Sequence, residues 1–110
     1  MGSYSPVPIG HDKNWIRLLG ALDGFRAKYG TWPSRVRIFP QALAGLREHL
    51  FTPEAFAQLL AKVELIADEA PMVAEDSAGN SYSYGAEGFP SSPPEPDART
   101  WLGVEPDRVL

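Results

Sequence analysis

The run Phe56-Ala57-Gln58-Leu59-Leu60-Ala61-Lys62-Val63-Glu64-Leu65-Ile66-Ala67 changes its hydrophobic period halfway, and that change decides the fold class. Up to Lys62 the apolar residues recur at three- and four-residue steps. Phe56, Leu59, Leu60 and Val63 therefore share the inward face of a helix over 53–62. Thr52 caps that helix, Pro53 suits its first position, and Glu54 puts an acid in its first turn. From Val63 the period becomes two, and Val63 to Ala67 reads as a strand.

Upstream of the switch the patterns are mainly helical. Residues 13–29 place Trp15, Leu18, Leu19, Leu22, Phe25 and Tyr29 on one face. Asp12 or Asn14 can cap the start, and Gly30 suits a left-handed C-cap. Gly20 and Gly24 lie one turn apart and predict a shallow groove where a sheet packs closely. After the break at Thr31-Trp32-Pro33-Ser34, Arg35 to Phe39 alternates as a short strand. Val36 and Ile38 take one face; Arg35, Arg37 and Phe39 take the other. Pro40 ends that strand and opens a second helix over 41–50, with Leu43, Leu46 and Leu50 as its stripe.

Downstream, Met72 to Glu75 and Ser81 to Tyr84 flank Asp76-Ser77-Ala78-Gly79-Asn80, which carries the residues a hairpin turn demands. Residues 63–84 thus read as an antiparallel β-meander. The expected architecture is α+β, with the helices on one face of the sheet. The expected organisation is a flexible arm over 1–11, one domain over 12–85, and a proline-rich acidic tail over 86–110. Five prolines fall in the last 26 residues, where an extended, mobile chain is expected up to residue 97.

The chain has 110 residues, one domain's worth, and 44% of them are hydrophobic. It has no cysteine, which excludes disulfides, thiol nucleophiles and cysteine metal sites, and suits the cytoplasm. No apolar run reaches the roughly 18 residues of a membrane span, and the start lacks a signal-peptide pattern. Charge is split. Residues 1–63 carry eight Lys or Arg against four acids; residues 64–110 carry two against ten. Such asymmetry points to partners or to self-association.

Signatures of catalysis are missing. His11 lies in the arm and His49 ends a helix, where its charge favours the dipole. There is no HExxH, GxSxG or phosphate-binding glycine loop. Asp76 to Asn80 lacks the oxygen ligands of a calcium loop. Glu64, Asp68, Glu69, Glu75 and Asp76 cluster around the meander as solvated strand ends. No catalytic residue, metal or cofactor is expected.

Two segments are candidates for binding. Lys28, Trp32, Arg35 and Arg37 interleave cations with an aromatic ring and could grip phosphates and stack a base. Alternatively, Arg35 or Arg37 pairs with Glu64 or Glu75 across the sheet. Trp101, Leu102 and Val104 form an apolar knot that must be buried on this domain, on a second copy, or on another protein. The leading expectation is a small non-catalytic protein-interaction module, an adaptor or accessory protein, with Trp32, Arg35, Arg37, Trp101, Leu102 and Val104 at its binding surface. The alternative is a nucleic-acid-binding protein led by the basic-aromatic segment.

Overall fold

A computed structural model describes residues 11–69, 72–84 and 97–107. The expected arm, apart from residue 11, and the tail up to residue 96 lie outside the described residues. The protein is α+β, a four-stranded mixed sheet with helices packed on it. Among the described residues no helix is long and apolar enough to cross a membrane.

Helix α1 runs from His11 to Tyr29. Trp15, Leu18, Leu19, Leu22 and Phe25 are buried along it, as the spacing predicts. Gly30 ends it at φ +79°, and its N–H donates to the Arg26 carbonyl at 2.8 Å. Strand β1 (Arg35–Ile38) follows, then α2 (Pro40–Gly45), which continues into one π-helical turn, Leu46–Leu50. Helix α3 (Pro53–Lys62) starts at Thr52, whose hydroxyl accepts the Ala55 N–H at 3.3 Å. Strands β2 (Glu64–Ala67), β3 (Val73–Glu75) and β4 (Ser81–Ser83) complete the sheet, and α4 (Asp97–Leu102) closes the described chain.

The strand order corrects the expected meander. It is β2-β1-β3-β4, with β1 parallel to β2 and antiparallel to β3. Only β3 and β4 form the anticipated hairpin. The segment from α2 through α3 is long enough to carry the chain back in parallel beside β1, as a parallel pair requires. Val36 and Ile38 are fully buried, and the central place gives β1 a strand on each side.

One face of the sheet carries Val36, Ile38, Ala74 and Tyr82, all buried under the helices. The expected groove on α1 is real at Gly24. A Cβ there would collide with the Tyr82 ring, so the missing side chain lets helix and sheet meet. Leu60 corrects the reading of α3: it is 43% exposed, while Ala55 and Leu59 are buried. Ala55 and Leu59 lie one turn apart, and a face centred on that pair rotates Leu60 outward.

In the hairpin, the Asp76 carboxylate accepts N–H bonds from Ala78 and Asn80 and a side-chain bond from Asn80, each at 3.0 Å. With Gly79 at φ +94°, this is a turn built from its own residues. The bonds from Asn80 hold the Asp76 carboxyl below the usual range.

The segment after the proline run rejoins the domain. Ala98, Leu102 and Val104 are buried in the same core as α1 and α3. The Ala98 N–H donates to Asp23 Oδ1 on α1 at 3.1 Å. Asp107 clasps the other end: it accepts from the Thr52 N–H at 2.8 Å and the Thr52 hydroxyl at 2.7 Å, and its own N–H donates to the Leu50 carbonyl.

Candidate functional site

The outer face of the sheet holds the arginine pair. Side chains alternate along β1, so Arg35 and Arg37 project opposite to Val36 and Ile38. The register sets Arg35 between Glu64 and Glu75. Arg35 Nε donates to Glu75 Oε1 at 2.8 Å, and Arg37 Nε to Glu75 Oε2 at 3.0 Å. Arg37 Nη1 reaches Asp68 Oδ2 at 2.6 Å. Pairing with Glu75 is as expected; Asp68 takes the place anticipated for Glu64. Two cations thus face two anions. The Arg35 hydrogen bond leads in holding the Glu75 carboxyl below its ordinary range, and the Asp68 bond leads in raising Arg37. Nε of Arg35 and Nε and Nη1 of Arg37, donors a phosphate would compete for, are engaged by these carboxylates.

The second region brings together Trp32 and Trp101. Their rings stack at 4.6 Å between centroids, with planes 7° apart. The Arg26 guanidinium lies 4.8 Å from the Trp32 centroid, and the Lys62 ammonium 5.8 Å from that of Trp101. Lys28 lies over the neighbouring Tyr29 ring at 5.2 Å. The position of Trp101 follows from α4. Ala98 and Leu102 are four residues apart and point inward, which turns Trp101 sideways onto Trp32. Leu102 and Val104 are spent on the core of their own domain, and Trp101 is half-buried against it. This region resembles an aromatic clamp, and the residue it clamps belongs to this chain.

The third region was not legible in the sequence. A cleft of about 280 Å³ opens between α1, the end of β1, α2 and the β3–β4 hairpin. It is lined by Asn14, Arg17, Ile38, Phe39, Ala42, Met72 and Tyr84. Phe39 lies past the end of β1 instead of within the strand as its alternation predicts, because Pro40 starts α2 there, and it is 42% exposed. Met72 is buried in the wall at φ +50°, a conformation that costs a side-chain-bearing residue energy. Among the described residues, Arg17 and Tyr84 are the ionisable ones of the lining, and no carboxylate or histidine is part of it. One sequence signal pointed this way: a large apolar residue, Phe39, on the same strand face as two arginines.

The cations of this region stand apart from the others. Arg35, Arg37, Arg47 and Arg99 pair with acids, and Arg26, Lys28 and Lys62 lie over aromatic rings. Among the described residues, Lys13 and Arg17 have neither kind of partner, and both are exposed. They are one turn apart on α1, and Arg17 forms part of the cleft wall.

Among the described residues no group of three or more His, Asp or Glu side chains is placed to hold a metal ion. No protein family model, no curated protein and no solved structure matches the chain.

Proposed function

We propose that this chain is a small non-catalytic protein-interaction module, an adaptor or accessory protein, that engages its partner at the Phe39 cleft. The carrying observation is chemical. The cleft has apolar walls, an exposed aromatic ring and a cation, Arg17, and among the described residues no carboxylate or histidine lines it to move a proton at neutral pH. That composition suits binding of an apolar side chain. The strained backbone of Met72 in the wall supports the same reading, since strain is retained where a site needs it. Absence of cysteine fits a cytoplasmic setting.

The alternative, nucleic-acid binding through Lys28, Trp32, Arg35 and Arg37, draws less support. Each of these side chains already has an acidic or aromatic partner within the chain.

The test uses the full chain as bait, alongside its Phe39→Ala variant. A partner captured by the wild type and lost by the variant, while both show the same circular dichroism, supports the reading. Indole titrated into isotope-labelled protein should shift the amides of Arg17, Phe39, Ala42 and Tyr84 before others. Shifts scattered over the surface, together with unchanged capture by the variant, would overturn the proposal.

A further inference from the structure

Which partner fits the cleft follows from its size and its rim. This inference rests on the cleft being the binding site. At about 280 Å³ the cleft falls just below the roughly 300–1,000 Å³ of small-molecule and cofactor sites. It accommodates one or two apolar side chains rather than a nucleotide or a prosthetic group.

Arg17 in the cleft wall and Lys13, one turn before it on α1, supply the second requirement. Lys13 and Arg17 are exposed cations without acidic or aromatic partners among the described residues. They rise about 6 Å apart along the axis of α1, four residues at 1.5 Å each. Carboxylates on alternate residues of an extended peptide lie on one side, about 6.5–7 Å apart. That is close to the rise between the Lys13 and Arg17 backbones. The chain's overall charge of −4 opposes an acidic ligand at long range. At physiological salt, however, charges beyond about 8 Å are screened, so Arg17 and Lys13 act on an approaching carboxylate at short range, while Asp68, whose N–H donates to the Ile38 carbonyl, is neutralised by Arg37.

We infer that the cleft takes an acidic peptide segment of another protein, extended, with two carboxylates on alternate residues beside a Leu or Phe. The apolar side chain enters between Phe39, Met72 and Tyr84, and the carboxylates meet Lys13 and Arg17. The recognition is local and shallow, so affinity is modest and falls with salt.

The probe is the capped peptide Glu-Gly-Glu-Leu-Phe-Gly, with two controls in which both Glu are replaced by Gln or by Lys. Each is titrated into the isotope-labelled full chain, and amide shifts are followed. The acidic peptide should move the amides of Asn14, Arg17, Phe39 and Tyr84, and bind more weakly at higher salt. Arg17→Glu should weaken it by roughly three- to tenfold, as charge reversal at an exposed pair implies. Lys13→Glu should act in the same direction, and Arg99→Gln should leave affinity unchanged. If the Gln and Lys peptides bind the cleft equally well, the acidic-partner inference falls while the cleft reading stands. If no peptide and no indole perturbs the cleft, both fall. If the same amides shift on raising protein concentration alone, the occupant is a second copy of the chain, and the acidic peptide is overturned.

Discussion

The Trp32–Trp101 stack and the Phe39 cleft are made of the same materials, aromatic rings with cations beside them, and they do opposite things. At the stack every component has found its partner inside the chain: ring on ring, Arg26 over Trp32, Lys62 over Trp101. At the cleft the ring of Phe39 stays exposed, and among the described residues Arg17 and Lys13 form no ion pair or cation–ring contact. Composition alone therefore does not mark a binding surface. What marks it is interaction capacity left unused after the fold has formed. The stack holds the chain's own C-terminal segment; the cleft is open to something else.

The sharpest way to break the comparison is to remove what both regions share. Helix α1 contributes Arg26 to the stack and Arg17 to the cleft, and Leu22 anchors it between them with no exposed surface. Leu22→Ala should cost about 2–5 kcal/mol, as a cavity in a rigid core does. Urea unfolding would measure it, and near-wild-type stability would show that α1 is not the shared support.

Next comes the stack itself. Trp101→Ala gives up a half-buried indole and its contact with Trp32, and should cost about 2 kcal/mol. Hydrogen exchange at Ala98 and Gly103 should accelerate as α4 loosens, while the cleft amides keep their shifts. Loosening of the cleft as well would show that the two regions are coupled.

The ion network on the outer sheet face is the third case, again of cations with partners. Glu75→Gln should cost about 1 kcal/mol at neutral pH, a modest loss because the arginines are partly exposed. The pH dependence has a defined sign. Arg35 and Arg37 hold folded Glu75 below its ordinary pKa, so as pH falls the unfolded chain takes up that proton first. The contribution is whole above about pH 4.3 and is lost as pH drops through the lower folded value. Denaturation midpoints between pH 7 and 3 should fall less steeply for Glu75→Gln than for wild type. Parallel curves would remove Glu75 from the acid response.

The smallest effect on stability belongs to the cleft. Phe39→Ala should change the unfolding free energy by no more than about 0.5 kcal/mol, because an exposed ring contributes little to folding. A loss of 2 kcal/mol would make Phe39 a core residue and close the contrast with the stack.

Much of the local structure was readable beforehand because neighbouring residues carry it. The stripe from Trp15 to Phe25, the stop at Gly30, the Thr52 cap and the Asp76 turn each depend on residues a few positions apart. Leu60 was misplaced because Phe56, Leu59 and Leu60 fit more than one helical face, and packing against Ala55 chose between them. Of the candidate site residues, Arg35 and Arg37 were brought to Glu75, one of two acids anticipated. The fate of Trp101 was left between docking on its own domain and waiting for a partner.

The sequence by itself determined the α+β class, the burial of Leu22 and the β3–β4 turn, and left the basic strand between phosphate binding and pairing with acids. Periodicity, capping and turn preference act over one or two turns of chain, and a single sequence states them directly. Only the tertiary structure decided that β1 lies between β2 and β3, that Trp32 stacks on Trp101, and that Arg17, Phe39, Met72 and Tyr84 meet around one cleft. Those are meetings of residues remote in sequence. They are set by how helices and sheet share one small core, and no local pattern records which side chains that packing leaves unpaired.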